Sequence, residues 1–434
     1  VKKTASPFKK IHLKNGIPVI LYPLDHLPSV LLSCDLKSGT VFEDENNFGI
    51  SHFLEHWIHQ GNKLFPSQKL FKQNLEEKGI IQNGSTGTFD CCYYLKAQTK
   101  ELEQAVRSLY SLLCQPIFPS DRRLHIKQVI TSEYNDLWQS PENRFQKSIT
   151  KRRFLDKPSY LENPLGKIEN IVRFKKKEIV EWYEKYYHSG NYLLSIIGCF
   201  DEKKLINLLN KSFGKLIKRE KINYPKIEKS EYSPFLIHHQ PEPREQIYFN
   251  LNYPCWGHLE KDIPDQLLEI IITSVLGGGP LSHLNQILRE KNNLCYRVSS
   301  GMNRYPQNGM LAIQGMVNNK NLLKALDLAL KEIRKMKKGG VSTKELKTAK
   351  SLISSNTIFK SEDSGKLISK LTSDQLWEQK LYSINQLIKI AERINLEKVN
   401  ERAKDLFDHS KLNINLFGNL SKKELDKIKQ LFPR

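Results

Sequence analysis

Three imidazoles and a carboxylate crowd one short stretch of this sequence. In Gly49-Ile50-Ser51-His52-Phe53-Leu54-Glu55-His56-Trp57-Ile58-His59-Gln60-Gly61, the apolar residues Ile50, Phe53, Leu54, Trp57 and Ile58 fall at i, i+3, i+4, i+7 and i+8. That spacing is the buried stripe of an amphipathic helix, with Gly61 as its stop. The opposite face collects His52, Glu55, His56 and His59. His52 and His56 stand one turn apart, so both rings can reach one ion, and Glu55 lies between them, within reach of a ligand of that ion. Neutral imidazole suits Zn²⁺, and an open zinc position lowers the pKa of a bound water toward about 7. A carboxylate beside that water can take its proton as it attacks a carbonyl. The same residues would also serve as the polar face of a surface helix, so metal chemistry requires a third ligand.

His52-Phe53-Leu54-Glu55-His56 has the inverted zincin order and resembles the zinc helix of the pitrilysin/insulysin family, which includes the mitochondrial processing peptidase and its bacterial relatives. That family carries its third ligand, a glutamate on a later long helix, 77 positions after the second histidine; here that position is Glu133. The resemblance therefore implies one tetrahedral Zn²⁺ per chain on His52, His56 and Glu133 at about 2.0–2.2 Å, with Glu55 as general base. It extends over nearly the whole chain. Residues 79–86, followed by Tyr93-Tyr94, resemble the segment whose edge strand accepts the substrate, which implies binding at Asn83, Gly84, Ser85 and Thr86. Asn163-Pro164-Leu165-Gly166 resembles the family's Pro-x-Gly turn, and Gly277-Gly278-Gly279 its glycine stretch. Arg289 and Tyr296, seven residues apart, resemble its Arg/Tyr pair; by that likeness Tyr296 donates to the tetrahedral oxyanion and Arg289 orients substrate. Read without the family, Arg289 is equally an ion-pair partner of Glu290 or Glu269, and Tyr296 a strand aromatic. Three departures stand out. Ile126 occupies the place of an auxiliary glutamate, Trp57 that of a smaller apolar residue and Gly84 that of alanine. His59 is a rival ligand one turn past His56.

The elements that must position these residues read as an α+β chain. Residues 11–22 form two short strands around Asn15-Gly16, a pair suited to a tight turn, and 30–36 a third. Helices are expected at 67–78, 101–115 and 120–137, a strand at 89–97, an irregular Pro- and Arg-containing stretch at 141–166, a helix at 175–187, a buried strand at 193–200 and a helix at 201–213. Residues 216–234, Lys-rich and holding Pro225 and Pro234, read as a linker. The order then repeats: strand 246–253, helices 263–276 and 281–291, strands 296–302 and 311–317, helices 321–336 and 343–358, a helical region 368–407, strand 413–417 and helix 422–432. Two homologous domains are expected, 1–215 with the zinc helix and 235–434 with Arg289 and Tyr296. Each would carry a mainly antiparallel sheet covered by helices. By the resemblance the pair makes one half of a clamshell chamber.

Composition narrows the alternatives. The chain has 434 residues, 68 Lys+Arg against 47 Asp+Glu, and a formal charge of +21. Its longest apolar run, 267–276, is too short to span a bilayer and carries Glu269. The lysines are spread along helix faces with no nucleic-acid signature among them, so nucleic acid is not an expected partner. Seven cysteines, an odd number with two adjacent, do not form a disulfide framework and fit a reducing compartment such as the cytoplasm. Residues 1–10 are basic without the apolar core of a signal peptide, and an organelle location after removal of a leader stays open. The function expected is a zinc endopeptidase acting on peptides or unfolded segments, paired as a homodimer with composite sites or, as runner-up, as a heterodimer. The alternative is a non-catalytic subunit of a processing-peptidase-like complex.

Overall fold

In the computed structural model, which describes residues 7–156 and 158–432, Asn15-Gly16 makes the expected turn, with Gly16 at φ +92°. It joins β1 (Lys9–His12) to β2 (Pro18–Pro23) in an antiparallel pair with Ile11 opposite Val19. Part of the basic segment 1–10, residues 1–6, lies outside the described residues. The sheet continues with β3 (Ser29–Leu36), β4 (Ile81–Thr86), β5 (Cys91–Gln98) and β6 (Tyr192–Gly198) in the order β1-β2-β6-β3-β5-β4. Only β2 and β6 run parallel.

Strand alternation decides what each face of this sheet meets. Val30, Leu32, Cys34 and Leu36 turn to one side, where they join Tyr93, Leu95, Leu194 and Ile196 in the core. The helices α1 (Ile50–Ile58), α2 (Gln68–Glu77), α3 (Leu102–Cys114) and α4 (Arg123–Gln139) supply much of that core, through residues such as Trp57, Phe71, Leu109 and Ile130, and later helices add Ile171, Ile179, Trp182 and Leu205. Ser33, Asp35 and Ser195 face the other way and are nonetheless buried. The helix Ser364–Leu376 covers them, with Thr372 Oγ1 3.2 Å from Ser195 Oγ.

A second sheet is built from β7 (Leu236–Gln240), β8 (Gln246–Cys255), β9 (Val298–Arg304), β10 (Gly309–Asn318) and β11 (Asn413–Phe417) in the order β7-β11-β8-β10-β9. Its topology is that of β2-β6-β3-β5-β4 with each strand five places later, and β7–β11 is again the parallel pair. The matching order supports duplication. One face of this sheet holds the buried Asn250, Asn252, Asn413 and Asn415, paired across β8 and β11. The helix Pro141–Arg153 packs beside it, Phe145 stacking on Phe417 at 4.9 Å between centroids.

The compact units do not follow the linear boundaries 1–215 and 235–434. Unit 1 takes residues up to Trp138, then Ser159–Lys226 and Phe359–Ser383; unit 2 takes Gln139–Pro158, Ile227–Ile358 and the residues from Ile384 onward. Each unit therefore contains a helix that the sequence order assigns to the other. The stretch 141–166 also differs from expectation. Pro141 sits in the first turn of Pro141–Arg153, where it costs no hydrogen bond, and Ser140 Oγ caps the helix by accepting from Asn143 N at 3.2 Å. The expected helix 281–291 is a shorter helical segment, 283–290, wound as a π-helix over Asn285–Glu290, and the region 368–407 breaks into Ser364–Leu376, Ile384–Glu392 and Leu396–Leu406.

Candidate metal centre

Glu43 starts the histidine helix. Its carboxylate accepts from Gly49 N at 2.8 Å and Ser51 N at 3.0 Å, satisfying two of the free amides at the head of α1. Gly49 has φ +102°, and a Cβ there would lie 3.0 Å from the carbonyl of Leu165, so the close approach of the 163–166 turn requires glycine. With Phe53, Leu54, Trp57 and Ile58 locked in the core, the other face of α1 must carry His52, Glu55, His56 and His59. On α4 the buried residues Ile126 and Ile130 define the inward stripe, and Glu133 continues it one turn on. Ile126 is 1% exposed, a core residue in the place of an auxiliary acid.

The two stripes bring three ligand atoms together. His52 Nε2 and His56 Nε2 are 3.2 Å apart, and Glu133 Oε2 lies 3.7 Å from the first and 3.4 Å from the second. Ligands at about 2.0–2.2 Å from a tetrahedral zinc stand roughly 3.4 Å from one another, so this triangle fits one face of such a site. Among the described residues it is the one group of histidine, cysteine and acidic side chains close enough to hold a metal. Burial, reinforced by His56, lowers the pKa of His52 to about 3, and burial lowers that of His56. Both rings are neutral near pH 7, the form that ligates. Burial and Asp136 raise the pKa of Glu133.

Glu55 lies beside this triangle without joining it. Thr86 Oγ1 donates to Glu55 Oε2 at 2.5 Å, while Oε1 has no hydrogen bond among the described residues. Burial raises the pKa of Glu55; the Thr86 bond opposes the rise and the Glu133 carboxylate adds to it. His59 is not a rival ligand here, because both its nitrogens are engaged. Nδ1 meets the carbonyl of Glu55 at 2.7 Å and Nε2 the Gln82 amide at 2.8 Å. Its ring lies where an alanine at 84 would intrude: a Cβ on Gly84 would be 3.1 Å from His59 Cε1 and from the Tyr93 ring. Gly84 and His59 are thus complementary.

Asn83, Gly84, Ser85 and Thr86 lie on β4, the edge of the first sheet, paired with β5 alone. Arg289 and Tyr296 belong to unit 2. Tyr296 is 85% exposed and precedes β9 rather than lying in a strand. Arg289 stacks on its ring at 5.3 Å and contacts Glu290 Oε1 at 3.4 Å. Glu269, the other candidate partner, is fully buried between Arg304 at 2.7 Å and Arg402 at 2.5 Å. Sequence reasoning overlooked Glu43, Gln82 and the Thr86–Glu55 bond. Each is a contact between segments whose local pattern carries no sign of it.

Comparisons with known proteins identify the family. Residues 22–165 match the family model described as insulinase (peptidase family M16), and residues 173–353 match the one described as peptidase M16 inactive domain. An uncharacterized zinc protease of Rickettsia felis is 27% identical over 82% of this chain and 85% of its own length. The uncharacterized zinc protease YmxG of Bacillus subtilis is 24% identical over 95% and 99%. The beta subunit of the mitochondrial processing peptidase of Bos taurus is 22% identical over 84% and 75%. Among solved structures, a peptidase M16 inactive domain from Pseudomonas fluorescens superposes with a TM-score of 0.84 at 19% identity, covering 95% of this chain and 98% of that one. The first half of the periplasmic protease PqqL from Escherichia coli gives 0.84 at 17% identity, covering 99% and 98%. With both halves matched by models of one family and the strand order repeated between them, the chain belongs to the M16 family of insulinase-like peptidases.

Proposed function

We propose that the chain is a zinc-dependent endopeptidase. The observation that carries this reading is the convergence of His52, His56 and Glu133 on one triangle with Glu55 beside it. Those three residues would hold the ion. When bound, zinc would polarise the scissile carbonyl and acidify a water near neutral pH. Glu55 would accept the water's proton on Oε1 and return it to the leaving amine, while Thr86 holds Oε2 in place. The β4 edge would take an extended peptide as an added strand, so that backbone pairing binds and side-chain identity matters little. Arg289 and Tyr296 would serve the oxyanion of a second chain across a twofold homodimer, each chain supplying one part of two composite sites. The seven thiols, all free, suit a reducing compartment such as the cytoplasm.

The competing reading, a non-catalytic subunit, is separated by two variants. Glu55→Gln should keep one zinc per chain and lose peptide hydrolysis, since an amide cannot accept the proton. His56→Ala should lose metal and activity together. A wild-type chain that binds zinc yet leaves a random peptide library intact, alone and with candidate partner chains, would overturn catalysis and favour the subunit. Full zinc occupancy in His56→Ala would overturn the ligand set.

A further inference from the structure

A cavity of about 430 Å³ lies in unit 1, on different residues from those of the histidine triangle. Its lining carries five fixed cations, Lys10, Lys37, Lys218, Arg219 and Lys221, against one carboxylate, Glu220. Glu378 stands just outside the lining and pairs with Lys221. Arg219 is committed to the wall, donating from Nη1 to the Glu184 carbonyl at 2.8 Å and from its amide to Ser189 Oγ at 3.1 Å.

Lys37 is the informative member. The residue is 5% exposed, and its backbone is clamped on both sides by Asn191: Lys37 N donates to Oδ1 at 3.1 Å and Nδ2 donates to the Lys37 carbonyl at 2.9 Å. Its ammonium rests 4.8 Å from the Tyr224 ring centroid, with no hydrogen bond and no carboxylate at ion-pair distance among the described residues; Glu378, paired with Lys221, acts on it from farther off. A buried lysine is ordinarily paired at close range, because its charge is costly to remove from water. Burial first and Lys221 second lower its pKa, Glu378 opposes them in part, and a bound anion would offset the remainder.

We infer that this cavity binds a small phosphorylated organic anion of nucleotide size. Lysines, four of the five cations here, act as point charges toward phosphate, whereas carboxylate recognition favours a bidentate guanidinium, and the one arginine already gives Nη1 to the Glu184 carbonyl. The cavity falls within the range of small-ligand sites. Pro18, Leu193, Ile222 and Leu376 line it beside the cations and offer an apolar surface for the organic part. The inference is independent of the proposed peptidase activity.

The test is calorimetric titration of the full chain with ATP, tripolyphosphate and citrate, magnesium absent and zinc content measured before and after. ATP should bind saturably at one site per chain, tighter than citrate, with affinity falling as salt is raised. Tripolyphosphate equal to ATP would overturn the organic part of the inference and leave a phosphate site. Lys37→Met should weaken ATP by at least about tenfold, as the loss of one desolvated charge pair implies. Lys10→Ser with Lys218→Ser, both exposed positions, should weaken it comparably and decides the matter if Lys37→Met fails to fold. No saturable binding of either phosphate compound at millimolar concentration, equal binding of citrate, or undiminished affinity in the double variant would overturn the site.

Discussion

The indole Nε1 of Trp57 donates to the carbonyl oxygen of Pro119 at 3.2 Å. This bond ties the last turn of α1 to the segment that leads into α4, and so couples the histidine pair to the helix that carries Glu133. The indole is fully buried, with its ring edge-on to Phe118 at 5.8 Å, and Phe118 itself is held at φ +45°. A larger residue than the family's usual one therefore does positional work here. Trp57→Phe should keep the fold, cost about 1–3 kcal/mol in urea unfolding and weaken zinc in chelator competition. Unchanged zinc affinity would separate the bond from the metal site.

Thr86 bears on Glu55 alone of the four site residues. Thr86→Val should leave zinc stoichiometry intact and lower kcat by about tenfold or more, while Thr86→Ser restores it, since only the hydroxyl is needed. Equal activity in the valine and serine variants would remove the bond from the mechanism.

Gly84→Ala sets a methyl group 3.1 Å from His59 and Tyr93. The His59 ring must shift and strain its bond to Gln82, which should cost about 1–3 kcal/mol by chemical unfolding. Pairing the change with His59→Ala should recover part of that loss, a coupling that double-mutant analysis reads directly.

Asp35 governs a pH response of stability. Burial, opposed by the Ser33 hydroxyl and reinforced by Asp90, raises its pKa from 3.8 to about 7. The folded state then holds a proton that the unfolded chain releases, so this contribution is full below pH 3.8, falls as pH rises and is lost above about 7. Asp35→Asn should flatten the fall in urea stability between pH 5 and pH 8 and raise stability at pH 8 by a few kcal/mol at most.

Complementation tests the proposed sharing of sites between chains. Glu55→Gln and Tyr296→Phe, each inactive alone, should regain activity when mixed under subunit exchange, because the mixed dimer holds one intact composite site. A dimer that exchanges and stays inactive would assign Tyr296 elsewhere.

The histidine pair was legible because its geometry is local: four residues on a helix fix two rings over one point. Glu133 was reached through the family spacing; the Ile126/Ile130 stripe puts it rather than Asp136 on the inward face, but does not by itself mark a ligand. The repeated strand order was also visible, as two strand-rich halves each ending in a strand, a turn and a helix. The exchange of Pro141–Arg153 and Ser364–Leu376 was not. Periodicity shows that Leu367, Ile368 and Leu371 want cover, but the sheet that supplies it is chosen by tertiary packing, here around Ser195.

That exchange has a consequence for synthesis. The unit bearing the histidine pair draws on residues as late as Ser383, so a nascent chain released through Lys226 has every strand of its first sheet but no helix for the face carrying Ser33, Asp35 and Ser195. At ordinary translation rates the missing segment arrives roughly 8–30 s later. During that interval a sheet face on which Ser33, Asp35 and Ser195 alternate with Ile20, Leu31, Leu193 and Ile197 stands open to water and to other nascent chains. A message truncated after the linker would leave the metal-binding half permanently in that state.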